Sequence, residues 1–145
     1  ESTAERGNLK DWSNILKNID IVFINKDGIK NLTKHKKINS GAEVLMDKGP
    51  NMVVITLGSK GVKIFRKNNK NINIPGYKVK AKDTTGAGDC FNGVFLSNIA
   101  KGWNIEKSAK YANAAAAISV KSIGSRSGIP TEIETKNFLD KRKDN

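Results

Sequence analysis

The sequence predicts an α/β fold of three layers, in which helices cover a central and mostly parallel sheet. Two apolar runs, at residues 21–24 and 52–57, have the length and the β-branched content of buried strands. Each run follows segments with a helical spacing of apolar residues, and this alternation is typical of parallel sheets. A short extended pair at 72–80 and two further helices follow. We therefore expect a sheet that is parallel in its middle and antiparallel at one edge.

The helices of the first half are predicted from apolar spacing. Residues 9–18 form one amphipathic helix and residues 29–48 form two short helices, which end at Gly49-Pro50. The residues expected to face the core are Leu9, Trp12, Ile15, Leu16, Ile19, Ala42, Leu45 and Met46. Asn25 follows the first strand at its carboxyl end, where parallel α/β sheets bind ligands. The stretch from Asn25 to Gly28 can equally be a plain loop with an Asp-Gly turn.

The motif Asp83-Thr-Thr-Gly-Ala-Gly-Asp89 lies between a predicted strand end, with alternating Val79 and Ala81, and a helix over 86–101. Backbone N–H groups at a helix N-terminus lack intrahelical partners, and the helix dipole is positive there. The glycines allow an anion to approach these groups, so the turn predicts a phosphate or oxyanion site. Asp89 in the first turn either complements the dipole or acts as a general base, and the neighbouring glycines favour the base.

The last third of the chain predicts two more helices and a loop. A helix over 106–122 contains an alanine run that permits close approach, with Asn113 as its polar group. Residues 122–130 form a loop rich in Gly and Ser. Thr131 and Glu134 have the spacing of a capping box and open the final helix. Its expected anchors are Ile133, Phe138 and Leu139, and the tail 141–145 is expected to fray.

Composition limits the class of protein. A chain of 145 residues can bury one core, and no apolar run approaches the ~18 residues of a membrane span. The net charge of +12 comes from scattered lysines without interleaved aromatics, which favours a solvated surface over nucleic-acid binding. Cys90, the single cysteine, is interpreted as a core residue in a reducing, cytoplasmic compartment. The first residues, 1–7, lack Met and a signal-peptide pattern, so we expect a longer parent protein.

The Asp83–Asp89 motif followed by Cys90-Phe-Asn-Gly93 resembles the C-terminal signature of the ribokinase-like (PfkB) family of sugar and nucleoside kinases. The similarity runs from about residue 20 to 139 and covers the C-terminal half only, so the N-terminal strands and the lid are absent. The resemblance implies ATP-dependent phosphorylation of a hydroxymethyl group. Asp89 would be the base, and the N–H groups of Gly86, Ala87 and Gly88 would form the anion hole.

The resemblance also implies the residues that hold the nucleotide and the cations. For the nucleotide and its Mg²⁺ these are Asn25, Thr56, Gly58, Lys60, Gly61 and Asn113. For K⁺ they are Asp83, Thr85, Ser119, Ser122, Gly124 and Gly128. Two positions depart from the family pattern: Gly28 stands at the Glu of an Asn-x-x-Glu motif, with Asp27 one residue earlier, and Gly128 stands where ribokinases often carry Ser.

The structural alternatives to these implied roles remain open. The glycines between Thr56 and Gly61 are typical of a hairpin turn, Lys60 of a solvated side chain and Asn113 of a helix-surface amide. Residues 1–145 are expected to be the nucleotide-binding part of a kinase, with one sheet edge exposed for the missing N-terminal half or a second copy. A non-catalytic nucleotide-binding domain and a basic nucleic-acid binder are the other hypotheses.

Overall fold

The computed structural model describes residues 9–142. Of these, 9–58 and 62–73 form one compact unit and 59–61 and 74–142 form a second. The helices and strands in chain order are α1 (Leu9–Leu16), β1 (Ile21–Asn25), α2 (Lys26–Thr33), α3 (Ile38–Asp47), β2 (Met52–Thr56), β3 (Gly61–Arg66), β4 (Ile72–Pro75), α4 (Ala87–Ala100), α5 (Ile105–Ser119) and α6 (Glu132–Asp140). Among the described residues, no helix combines the length and the apolar character that crossing a membrane requires.

The sheet has four strands in the order β1-β2-β3-β4. Strands β1 and β2 are parallel, with Ile21 opposite Met52 and Asn25 opposite Thr56. Strands β2 and β3 are antiparallel, which confirms the predicted hairpin. Because β1 is an edge strand, Val22 and Phe23 are only half-buried, and the expectation of a strand buried on both faces was wrong for β1. Among the described residues, the sheet thus ends in β1 on one side and in β4 on the other.

The first unit packs its helices onto the sheet through an apolar cluster. Its buried members are Leu16, Ile24, Ile29, Leu32, Ala42, Leu45, Val53, Ile55 and Phe65. Leu9, Trp12, Ile19 and Met46 pack against this cluster as predicted, but Ile15 is 53% exposed. Ile15 lies about 100° from Leu16 around the helix axis, which places it outside the buried stripe of an eight-residue helix.

Helix α2 begins three residues earlier than predicted, and the loop interpretation of Asn25–Gly28 was wrong. The side chain of Asn25 accepts a hydrogen bond from the N–H of Gly28, so Asn25 is the N-cap of α2. Lys26 and Asp27 are therefore in the first helical turn. Helix α3 matches its prediction and buries Ala42 and Leu45.

In the second unit, α4 packs against α5 and α5 packs against α6. The stacked rings of Phe91 and Phe95 on α4 are buried. On α5 the small side chains at positions 109, 112, 114 and 115 are buried, so the alanine run permits the predicted close approach. Helix α5 ends at Ser119, three residues before the predicted end.

Two expectations for the second unit change. Residues 77–81 form no strand, and the N–H groups of Lys82 and Asp83 both donate to the carbonyl of Val120 instead. Ile133 is 73% exposed, although the predicted capping box of α6 is present. Thr135, 2% exposed, is on the inward side of α6, and Ile133 lies about 200° away around the axis.

At its carboxyl end the described part of the chain stops at Arg142. The predictions for residues 1–7 lie outside the described residues, as do 143–145 of the tail expected to fray. The guanidinium carbon of Arg142 lies 3.6 Å from the ring centre of Phe138, and that ring meets Tyr77 edge to face at 5.4 Å. The described start of the tail is thus held by an aromatic pair.

Candidate active site

In the first unit, two predicted nucleotide residues end neighbouring parallel strands. Asn25 is the register partner of Thr56, each at the carboxyl end of its strand. The Asn25 Oδ1 atom accepts from the Gly28 N–H at 2.6 Å, so this oxygen is already engaged in capping α2. Beyond Thr56 the chain turns at Gly58, which has a φ of +59° and open space where a Cβ would project. The structure thus brings Asn25 and Thr56 together at the carboxyl end of the parallel strands, which is the end where α/β sheets commonly bind ligands.

Gly28, which stands where the family pattern has Glu, has close neighbours on its side-chain side. A Cβ at this position would lie 3.0 Å from Asn25 Oδ1 and 3.0 Å from Ile24 Cγ1. Gly28 is buried, whereas Asp27 beside it is exposed in the first turn of α2. Within residues 9–142, no group of three or more His, Cys, Asp or Glu side chains is arranged to hold a metal ion.

In the second unit, residues 59–61 lie in backbone contact with residues 74–76. A Cβ on Gly61, which has a φ of +94°, would come within 2.1 Å of the Ile74 carbonyl oxygen. A Cβ on Gly76 would come within 2.0 Å of the Ser59 carbonyl oxygen. Only glycine permits this approach at either position. Lys60, between the contacts, is exposed as predicted for a solvated lysine.

The side chain of Asn113 is buried and hydrogen-bonded, so it is not a helix-surface amide. It is 8% exposed, and its Nδ2 donates to the carbonyl oxygen of Pro75 at 2.8 Å. Pro75 belongs to the segment that contacts Gly61, so Asn113 supports the backbone beside the glycine-rich turn. This partner could not be predicted from the sequence, because a backbone carbonyl has no residue-specific pattern.

The Asp83 carboxylate organises the turn before α4. Its Oδ1 accepts from the Thr85 N–H and its Oδ2 from the Gly124 N–H, both at 2.9 Å. These two hydrogen bonds lower the pKa of Asp83 below its ordinary value, and the one from Thr85 has the larger effect. Together with the two N–H groups that reach Val120, they fasten the turn to the loop after α5.

The helix N-terminus that follows is open at the positions the motif predicts. Gly86 is the N-cap with a φ of +78°, and a Cβ there would lie 2.8 Å from the Ser125 Cβ. The Ala87 N–H donates to the Thr84 carbonyl at 3.2 Å. Among the described residues, the N–H groups of Gly86 and Gly88 have no hydrogen-bond partner.

Gly88 and Asp89 complete this end of α4. Gly88 has no positive φ, and nothing lies within 4 Å of the place where its Cβ would be. Neither backbone strain nor packing therefore requires glycine here. Asp89 is exposed in the same first turn. The arrangement can hold an anion on N–H groups with a carboxylate beside it.

The residues expected to hold K⁺ fall into two contact groups. Asp83, Thr85 and Gly124 are joined by the carboxylate described above. Gly128 is pressed against α5, since a Cβ on it would lie 2.2 Å from the Ser119 carbonyl oxygen. The Ser119 hydroxyl donates to Ala116 at 2.9 Å, and Ser122 is half-buried. Two residues of this region had no role predicted from the sequence: the Val120 carbonyl accepts hydrogen bonds from Lys82 and Asp83, and Ser125 lies close to Gly86.

Comparison with known proteins decides the family. The profile described as pfkB family carbohydrate kinase matches residues 3–132. The chain belongs to the pfkB family. The ribokinase of Haemophilus influenzae is 40% identical over 131 residues, which cover 87% of this chain and 42% of that protein.

Solved pfkB-family structures confirm the predicted ribokinase-like α/β fold. The Thermotoga maritima ribokinase superposes with a TM-score of 0.83 at 37% identity, over 88% of this chain and 44% of its own. Arabidopsis thaliana ribokinase, solved with ribose and ATP, gives a TM-score of 0.83 at 28% identity over 88% and 43%. The chain thus spans less than half the length of these ribokinases, and it matches the family as a partial domain.

Proposed function

We propose that this chain is the nucleotide-binding and catalytic part of a sugar kinase, which transfers the γ-phosphoryl group of ATP to a hydroxymethyl group of a sugar or nucleoside. The observation that carries the proposal is Gly88. Neither a strained backbone nor close packing requires glycine at this position. The absence of a side chain leaves the N–H groups beside Asp89 open. An anion-binding helix start next to a proton acceptor is the arrangement that phosphoryl transfer needs.

In the proposed reaction, the Asp89 carboxylate takes the proton of the substrate hydroxyl as its oxygen attacks the γ-phosphorus. The bond from that phosphorus to the bridging oxygen of ADP breaks, and ADP leaves with the bonding electron pair. The N–H groups of Gly86, Ala87 and Gly88 stabilise negative charge on the transferring group. The Ala87 N–H already donates a hydrogen bond to the Thr84 carbonyl at 3.2 Å. A phosphoryl oxygen would therefore be a second acceptor for this N–H.

Each unit is assigned its own nucleotide contacts, as the family resemblance implies. Within the first unit these are Asn25, Thr56 and Gly58. Within the second unit they are Lys60, Gly61 and Asn113. Since Nδ2 of Asn113 is bonded to Pro75, its Oδ1 is the atom assigned to adenine. The ribose and ATP in the Arabidopsis relative support this class of ligands.

The side chains available suit a Mg²⁺ ion that is bound mainly by the phosphates of the nucleotide. Mg²⁺ is commonly held by phosphates and water with one or two carboxylates, and the described residues offer no carboxylate cluster. When bound, Mg²⁺ supplies charge neutralisation to the phosphates. For K⁺ we assign oxygens from Asp83, Thr85, Ser119, Ser122, Gly124 and Gly128, of which Asp83 and Ser119 are already hydrogen-bonded.

The proposal is tested in a chimera in which the amino-terminal part of Haemophilus influenzae ribokinase precedes this chain. We expect ATP-dependent phosphorylation of a sugar in a substrate screen. Asp89→Asn should abolish turnover and leave ATP affinity nearly unchanged, because the amide keeps the size but cannot take the proton. Retained turnover in this variant would refute the base assignment.

Gly28 favours one other function, a non-catalytic nucleotide-binding domain, because it replaces a carboxylate at a position tied to metal handling in the family. Calorimetric titration of ATP with and without Mg²⁺ separates the two functions. An ATP affinity that is the same with and without Mg²⁺, together with no turnover by the chimera, favours the non-catalytic domain. Binding that Mg²⁺ strengthens, with turnover, favours the kinase.

A further inference from the structure

Two lysines that are far apart in the sequence become neighbours beside the turn that precedes α4. The N–H of Lys82 donates to the Val120 carbonyl at 2.7 Å, and the N–H of Asp83 donates to the same oxygen at 3.2 Å. Lys121 follows Val120 directly, so both lysines lie where the turn is fastened to the loop after α5. The side chains of Lys82 and Lys121 are exposed.

Arg126 lies on the same loop, close to the open end of α4. The Cα of Ser125, the preceding residue, lies 3.1 Å from the place where a Cβ on Gly86 would be. Because consecutive Cα atoms are about 3.8 Å apart, the Arg126 Cα lies within about 7 Å of that place, a distance that an arginine side chain can span. The Arg126 carbonyl accepts a hydrogen bond from the N–H of Ile129 at 3.1 Å, which fixes the backbone here.

These three cationic side chains have no carboxylate partner. In the part of the chain that the structure describes, Lys82, Lys121 and Arg126 form no salt bridge and no side-chain hydrogen bond. The segments that carry them, residues 76–82 and 118–130, contain no Asp or Glu. Their positive charge is therefore available to a ligand. We call these three residues the cationic rim.

The carboxylates of the neighbouring turn do not cancel the charge of the cationic rim. Both oxygens of Asp83 already accept hydrogen bonds from backbone N–H groups, and Asp89 is exposed in the first turn of α4. Three positive groups against two negative ones leave an excess of positive charge beside a helix N-terminus that itself favours an anion. Phosphoryl transfer requires such groups, because the charge of the phosphates must be neutralised.

We propose that the cationic rim binds the phosphate chain of the nucleotide beside the N-terminus of α4. The inference rests on the proposed function, because it adds ligand-binding residues to the same anion site. A region of one charge sign raises the local concentration of a ligand of opposite sign. The planar guanidinium of Arg126 suits two oxygens of one phosphate, whereas Lys82 and Lys121 act as point charges.

The cationic rim is tested by measuring the affinity of this chain for ATP and for inorganic tripolyphosphate by calorimetry. Lys82→Gln, Lys121→Gln and Arg126→Gln each remove one positive charge. Lys136→Gln, at an exposed position of α6, is the matched control, because it lowers the net charge of +12 by the same amount. All four side chains are exposed, so the melting temperature should stay nearly unchanged and lost binding is not lost folding.

We expect each rim variant to bind both ligands roughly fivefold more weakly at about 0.1 M salt, which is the effect of one unit charge at about 4 Å in water, with Lys136→Gln unchanged. The difference from the wild type should shrink at about 1 M salt, because the Debye length falls from about 10 Å to about 3 Å. Equal losses in Lys136→Gln and the rim variants would overturn the proposal, as would a loss that does not change with salt. Absence of any tripolyphosphate binding would overturn it as well.

Gly88→Ala separates this outcome from that of the proposed function, because its methyl group covers the open N–H groups of α4. If Gly88→Ala weakens ATP binding and the rim variants do not, the cationic rim is excluded and the helix end stands. If the rim variants weaken binding and Gly88→Ala does not, the rim stands and the role of the helix end in the proposed function falls. Rim variants that weaken binding of ribose 5-phosphate or of a DNA oligonucleotide, but not of ATP, would assign the rim to another anion and overturn the proposal.

Discussion

The side-chain amide of Asn113 donates a hydrogen bond of 2.8 Å to the backbone carbonyl of Pro75. Asn113 is buried in α5, and Pro75 ends the strand β4 whose backbone contacts Gly61. A side chain on the helix thereby fixes a segment beside the glycine-rich turn. The two roles considered for Asn113 from the sequence did not include this one.

We expect Asn113→Ala to lower the free energy of unfolding by about 1–3 kcal/mol, because the Pro75 carbonyl loses its donor in a largely buried place. Urea denaturation at constant slope measures the loss. Asn137→Ala, at an exposed position of α6, is the control and should change stability by less than ~0.5 kcal/mol. Equal effects of the two substitutions would contradict a specific role for the Asn113 amide.

The two glycines of the anion site should respond in opposite ways to alanine. Gly88→Ala should stabilise the chain by up to about 0.4–1 kcal/mol, since its backbone and surroundings accept a Cβ. Gly86→Ala should destabilise it by roughly 1–3 kcal/mol, since its φ is +78° and Ser125 lies close. Thermal melting of both variants checks the signs.

Gly88→Ala also separates folding from binding. The added methyl group stands over the open N–H groups, so ATP affinity should fall although stability does not. Calorimetry of ATP binding measures this. Unchanged ATP affinity in a fully folded Gly88→Ala variant would exclude the proposed approach of a phosphate to this helix end.

The lowered pKa of Asp83 predicts an acid-sensitive turn. A carboxyl whose pKa is depressed in the folded state contributes stability above its ordinary pKa of 3.8, and this contribution is lost as pH falls through the folded value. Asp83→Asn should therefore be less stable than the wild type near neutral pH. The difference should narrow as the pH falls below about 4.

Unfolding by urea over this pH range measures the Asp83 effect. Glu134, whose pKa is lowered by its hydrogen bonds to Thr131, contributes a separate acid-dependent term in both proteins. Asp83→Asn should remove only the part that Asp83 contributes to the pH dependence of the free energy of unfolding. A stability difference that stays constant with pH would show that the charge of Asp83 is not what holds the turn.

Asn25 is expected to act first as a helix cap. Asn25→Ala should cost about 0.5–2 kcal/mol, whereas Asn25→Ser, which retains a capping oxygen, should cost much less. Urea midpoints of the two variants make the comparison. If serine is as harmful as alanine, then the hydrogen bond to Gly28 is not the main contribution of Asn25 to stability.

The sequence predicted those features that local chemistry determines. The buried runs around Val53 and Ile24 became β2 and β1, and the Thr131–Glu134 spacing became a capping box. The Asp83–Asp89 motif was placed correctly at a helix start, because glycine and the following apolar spacing are both local signals. The pfkB match confirms the resemblance that this motif carried.

The remaining features depend on partners that have no sequence pattern. Residues 77–81 alternate like a strand, but the N–H groups that follow bond to the Val120 carbonyl. Ile133 fits an apolar anchor by composition, yet α6 packs with Thr135 inward and Ile133 exposed. Backbone carbonyls at Val120 and Pro75 hold the second unit's site, and neither could be identified from the residue type.

The contact between Gly128 and the Ser119 carbonyl limits how this chain can change over evolution. A serine at 128, the residue frequent in ribokinases, would place its Cβ 2.2 Å from that oxygen. Gly128→Ser alone is thus sterically blocked, and a hydroxyl at this position would require a coordinated second change at the end of α5. Lineages that carry this glycine are expected to vary their loop elsewhere and to keep position 128 fixed.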